Sequence, residues 1–181
     1  MASPADAMGT GIRCVAGWPT KLKDCKIGEK CSYTEHQTNR DNHVEPEFPF
    51  EFIIQGTPVS FQRSSTGAKQ EWKELVRSAS LAKLPEMHFA TDKPLAVTLY
   101  YYPQDRMTGD IDNIVKLILD GMMPHLYRDD AQIERVVVQK FEKGRIFSFT
   151  DPSETLAECL LGPKPAVYVR VSNDPFEELQ A

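Results

Sequence analysis

The chain has 181 residues, with 26 Asp and Glu against 21 Lys and Arg and a formal net charge of −5. It is long enough for one domain with a full hydrophobic core, and it has no apolar run of about 18 residues and no basic-then-apolar leader. It therefore reads as a soluble cytoplasmic protein with no membrane partner. Its four cysteines are unevenly spaced, with Cys159 far from the others, which excludes a secreted disulfide framework. The acidic balance argues against a broad phosphate-binding surface, but the distribution of charge matters more than its sum.

Residues 1–47 are polar, rich in turn formers and without sustained periodicity, so they read as a flexible N-terminal extension that offers room for a protein partner. Cys14, Cys25, Cys31, His36 and His43 are metal-ligand types. They include no Cys-x-x-Cys pair, so free thiols and solvated histidines are the simpler account. The folded domain is expected over residues 48–172, followed by an acidic tail at 173–181.

Residues 48–55 alternate and then run apolar through Phe48, Phe50, Phe52, Ile53 and Ile54, the pattern of a first strand, which Gly56-Thr57-Pro58 stops. The loop that follows carries Arg63, a candidate phosphate contact. The spacing predicts a helix over 69–83 with Trp72, Leu75, Val76 and Ala79 as its buried stripe. On another face Lys69, Lys73 and Arg77 stack at i, i+4, i+8, which suits a phosphate backbone and equally a solvated surface. Residues 95–102 form a strong strand, with Val97, Leu99 and Tyr101 alternating against Thr98, Tyr100 and Tyr102. The polar connection at 103–108 offers Arg106 as a further substrate contact. A central helix ends at Pro124, and a strand follows over 132–143 with Ile133, Val136, Val138 and Phe141 as inward residues. Residues 144–164 look irregular, and 165–172 form the last strand. The order β-α-β-α-β-β gives an α+β domain with a mixed sheet and two main helices.

The central helix carries the chemistry. With about 100° of rotation per residue, Asp112, Lys116, Asp120 and Asn113 share one narrow polar face. Ile111, Ile114, Val115, Leu117, Ile118, Leu119 and Met122 occupy most of the rest, so the polar stripe must open into a cleft or meet a partner. Asp110 precedes it, and Asp129-Asp130 arrive just after the helix. Carboxylates gathered in one place repel one another unless a cation sits among them, and hard oxygen donors suit Mg²⁺, with Mn²⁺ as the alternative. The competing accounts are a helix cap at Asp112 with a surface Lys116–Asp120 pair, a solvated charge face, or a calcium loop. The calcium loop fails, because its sixth position would be Val115 and its twelfth Gly121.

Gly109-Asp110-Ile111-Asp112-Asn113, Lys116, Asp120 and Asp129-Asp130-Ala131-Gln132-Ile133 resemble the signature of the RusA family of Holliday-junction resolvases. That pattern is Asp-x-Asp-Asn-x-x-Lys-x-x-x-Asp followed about ten residues later by Asp-Asp-x-Gln and a hydrophobic residue. The resemblance implies a RusA-like fold, a homodimer, and a metal-dependent endodeoxyribonuclease that cuts four-way DNA junctions by paired incisions. Asp110, Asp112 and Asp130 are expected to hold the metal, with Asp129 as an alternative ligand or an outer partner, and Lys116 to stabilise the charged transition state or position the water. Asn113 and Asp120 are expected to orient these groups. Two alternatives stay open: a nuclease acting more broadly on branched or flap DNA in phage or mobile-element biology, and a non-catalytic DNA-binding or assembly module on the same fold. A twelve-residue helix is about 18 Å long and the five steps from Pro124 to Asp129 span about 16–18 Å. Asp129-Asp130 therefore return along the helix only by a taut connection, or else a second subunit supplies them.

Overall fold

The computed structural model describes residues 44–107 and 109–177. Most of the N-terminal extension, with its cysteines, His36 and His43, lies outside the described residues, as does the end of the tail at 178–181.

Four strands, β1 (Phe50–Gln55), β2 (Leu95–Tyr102), β3 (Ile133–Lys140) and β4 (Ala166–Ser172), form one mixed sheet in the order β1-β4-β2-β3. The pairs β1–β4 and β4–β2 are antiparallel, and β2–β3 is parallel. A parallel pair cannot be closed by a tight turn and needs a crossover. Here the crossover is a 3₁₀ turn (Ile111–Ile114) running into helix α2 (Val115–Met122), so the acidic motif leaves the carboxyl end of β2.

Helix α1 (Thr66–Leu81) packs beside α2 on one sheet face. Its first turn is fixed by Ser65, whose hydroxyl accepts a hydrogen bond from the Ala68 amide at 3.2 Å. Phe52 and Ile54 of β1, Val97 and Leu99 of β2, and Val167 and Val169 of β4 bury against Val76, Ile118 and Met122. The two helices approach closely at Gly121, where an added Cβ would lie 2.6 Å from Val76 Cβ and 3.0 Å from the Lys73 carbonyl. The other face carries a second cluster of Tyr102, Leu156, Cys159, Ala166 and Tyr168.

The architecture is the expected α+β domain with a mixed sheet, and it adds a third helix, α3 (Glu154–Leu161), within the stretch expected to be irregular. Ser153 caps it by accepting from the Leu156 amide at 3.1 Å, and Leu156 and Cys159 bury its inner face. The stripe on α1 is also rotated from expectation. Leu75 is 41 % exposed, and Ser80 is buried instead, donating to the Val76 and Arg77 carbonyls and meeting His125 Nε2 at 2.7 Å. On β3, Val136 is 41 % exposed because this strand is the sheet edge, and Phe141 lies past its end, packed against the second cluster. The first part of the acidic tail is anchored, since the two Glu177 carboxylate oxygens accept from Arg170 at 2.5 and 3.0 Å. Among the described residues, no helix is long and apolar enough to cross a membrane.

Candidate active site

Gly109 turns the chain out of β2 with φ +140°, a conformation that side-chain-bearing residues rarely adopt. Asp110 follows in extended backbone at the N-cap position of the 3₁₀ turn, yet its side chain makes no capping bond. Asp112 lies within that turn, also exposed. Among the described residues neither carboxylate takes part in an ion pair or a side-chain hydrogen bond. Neither carboxylate makes the expected capping bond, although the Lys116–Asp120 pair of that account is present; Asp110 and Asp112 instead line a cleft of about 570 Å³ with Gln139, Lys140, Glu142 and Arg145.

One helical turn further on, Lys116 donates to Asp120 Oδ1 at 2.8 Å and to Asp130 Oδ2. Both contacts raise the Lys116 pKa, Asp120 first and Asp130 second, so the ammonium is held charged. The connection after α2 therefore does return in the same chain far enough to bring Asp130 to Lys116. Tyr127 fixes that return. It is fully buried, and its hydroxyl donates to the Leu119 carbonyl at 2.8 Å and reaches Asp130 Oδ1 at 3.4 Å. Burial and the Asp130 charge push its phenol well above the ordinary range.

Asp129 and Asp130 diverge. Asp129 caps the 3₁₀ turn Asp130–Gln132 by accepting from the Ala131 amide at 2.8 Å. The Gln132 side chain ties this corner together, donating to the Thr91 and Lys93 carbonyls and accepting from the Arg128 and Asp129 amides. Asp130 is thus the acid turned toward the lysine. Among the described residues, no three acidic, histidine or cysteine side chains converge into one cluster. Asp110 and Asp112 face one cleft, while Asp120 and Asp130 gather on Lys116.

The expected substrate contacts separate into two groups. Phe61 N donates to the Asn113 carbonyl at 2.9 Å, which docks the loop carrying exposed Arg63 onto the acidic turn. Lys69 Nζ sits 5.2 Å from the Phe61 ring centroid, at the same end. Arg106 lines a cavity of about 230 Å³ with Thr57, Ser60, Tyr101 and Asp110. The Lys73 carbonyl lies where α1 meets Gly121, and Arg77 lies further along the helix, where its charge is felt by His125. Sequence reasoning did not single out Tyr127, Gln139, Lys140, Glu142 or Arg145. The last four are ordinary edge-strand and loop residues until the parallel β2–β3 pairing sets them opposite Asp110.

Residues 57–147, about half of the chain, match the family model described as endodeoxyribonuclease RusA. The chain belongs to the RusA family. That family comprises endodeoxyribonucleases of Holliday junctions, and the matched span contains every residue of the acidic motif. No curated protein matches the chain in sequence.

The donor set fits a divalent cation of the kind RusA nucleases generally require. Mg²⁺ prefers oxygen ligands, keeps several waters, and is usually held by one or two carboxylates together with substrate phosphate rather than by an all-protein cage. Two unpartnered aspartates at the rim of an open cleft meet that description.

Proposed function

We propose that this RusA-family protein is a metal-dependent resolvase that acts as a homodimer on four-way DNA junctions. The observation that carries the reading is the pair of unpartnered carboxylates, Asp110 and Asp112, one helical turn from a lysine held charged by two further acids. Asp110 and Asp112 would hold the cation, while Asp130, paired with Lys116 rather than gathered with them, would keep the lysine charged beside the site. Such a cation relieves charge on the phosphodiester and supplies a nucleophilic water at neutral pH.

The chain's own residues do the remaining work. Lys116 presents a fixed positive charge for the excess negative charge of the transition state, where a preorganised donor is worth about a hundredfold or more in rate. Asp120 and Tyr127 are positioning residues, one for the lysine and the other for Asp130. Asn113 supports the acidic turn through its backbone contact with Phe61. Arg63, Lys69 and Arg106, grouped around that turn, take phosphates flanking the cut, and Lys73 and Arg77 contribute a weaker, longer-range attraction. A four-way junction is two-fold symmetric and needs two incisions, and an isologous pair of subunits presents two identical sites.

The reading is tested with a labelled four-way junction, a flap and a linear duplex, each with Mg²⁺ or EDTA, with Asp112→Asn in parallel. Symmetric, Mg²⁺-dependent junction cutting that the variant lacks is expected. Equal cutting of all branched forms would replace junction specificity with a broader branched-DNA activity.

A further inference from the structure

Beyond the acidic cleft, the chain after β3 builds an aromatic and basic surface to which the proposed hydrolysis gives no part. Tyr102 and Phe141 stack with ring centroids 5.1 Å apart and planes inclined by 12°. Phe147 lies 4.4 Å from Phe141, centroid to centroid, and is itself 40 % exposed. These rings, with Lys143 and Arg145, line a cavity of about 330 Å³, at the lower end of the range for small-ligand pockets. Lys143 and Arg145 are exposed and have no ion pair among the described residues. Lys164 on the same wall is committed elsewhere, donating to the Cys159 and Leu160 carbonyls and lying 4.9 Å from the Tyr102 ring centroid.

This cavity adjoins the Asp110–Asp112 cleft, since Glu142 and Arg145 line both. The Glu142 charge at the junction is compensated by Lys140 at 2.9 Å. A strand whose phosphate lies over Asp110 and Asp112 can therefore continue past Arg145 onto the rings.

We infer that Phe147, on its Tyr102–Phe141 base and flanked by Lys143 and Arg145, is a stacking platform for an unstacked base next to the scissile phosphate. Exposed aromatic faces bind bases without regard to sequence, and flanking cations hold the backbone. Stacking of neighbouring pairs in an intact duplex hides those faces; an open crossover or a gap exposes them on the bases beside it. The platform would thus distinguish branched from linear DNA, which deepens the proposed function and rests on it for the nearby cut.

The test measures binding in EDTA, where no cleavage can intervene, to an intact duplex and to the same duplex with a short central gap carrying 2-aminopurine. The full chain is expected to bind the gapped DNA about tenfold more tightly and to quench the probe. Phe147→Ala should lose both the preference and the quench, and Phe147→Trp should keep them. The double variant Lys143→Ala/Arg145→Ala should weaken binding of both DNAs and steepen none of the preference. Retention of the wild-type preference and quench in Phe147→Ala would overturn the platform. So would a change of subunit number in that variant by sedimentation, which would make the ring a protein contact. The two readings fail separately: a chain that prefers gapped DNA but cuts no junction keeps the platform and loses the resolvase reading. A chain that cuts junctions with Phe147→Ala unchanged in binding does the reverse.

Discussion

Lys116 on α2 and Asp130 at the entrance to β3, fourteen positions apart, form an ion pair within one chain, and Asp120 completes it from the next helical turn. The raised Lys116 pKa gives the pair a definite pH behaviour. Its contribution to stability is fully present below the ordinary lysine value of 10.5 and is lost only as pH rises through the higher folded value. Lys116 should therefore remain charged across any usable assay range, and an alkaline fall in cleavage below pH 10 should persist in Lys116→Arg. Lys116→Ala should cut at least about a hundredfold more slowly at every pH. A wild-type profile whose alkaline limb disappears in the arginine variant would show that the lysine titrates there.

The acids should divide by their surroundings. Asp110 and Asp112 have no partner to lose, so Asp110→Asn and Asp112→Asn should abolish cleavage while leaving the melting temperature unchanged or slightly higher. Asp130→Asn should also cut poorly, but should cost up to about 1 kcal/mol of stability through the half-exposed Lys116 pair. Asp129→Ala should lose the cap on its turn, typically about 1 kcal/mol, and retain more cleavage than Asp130→Asn. Thermal melts alongside single-turnover cleavage check all four variants.

Gly121→Ala pits helix propensity against packing. In an exposed helix alanine would be favoured by about 1 kcal/mol. Here the new methyl meets Val76 at 2.6 Å and the Lys73 backbone at 3.0 Å. Overpacking of this kind costs about 1–3 kcal/mol, so the variant should melt several degrees lower. A higher melting temperature would mean that α1 and α2 can move apart at no cost.

His125 should act on stability rather than chemistry. Burial, followed by the nearby charges of Arg77 and His88, pushes its pKa down to about 4 from 6.5. Between those values the unfolded chain binds a proton that the folded chain refuses, so stability falls as pH drops from 6.5 toward 4 and is fully retained above 6.5. The ring is only partly buried, so the loss should be nearer 1 kcal/mol than the full shift implies. His125→Gln should flatten melting temperature against pH over that interval.

Much of this arrangement was legible in the sequence where one residue type permits one conformation. Alternation over Leu95–Tyr102 marks β2 to the residue, and Gly109 before Asp110 marks the turn that exposes the acids. Three features were hidden for physical reasons. Alternation in β3 cannot tell an edge strand from a central one, so Val136 read as inward. Helix α3 is eight residues long, too short for periodicity to stand out, although Ser153 before Glu154 is a readable cap. The role of Tyr127 depends on where the connection after α2 folds back, and that follows from the parallel β2–β3 crossover rather than from local sequence.

The most direct measurement is single-turnover cleavage of a four-way junction by the full chain, with Mg²⁺ and with EDTA, beside Asp112→Asn at equal binding saturation. Paired, symmetric incisions that require Mg²⁺ and disappear in the variant, while junction binding persists, are the predicted result. Saturated junction binding with no incision by the wild-type chain in either Mg²⁺ or Mn²⁺ would contradict the account.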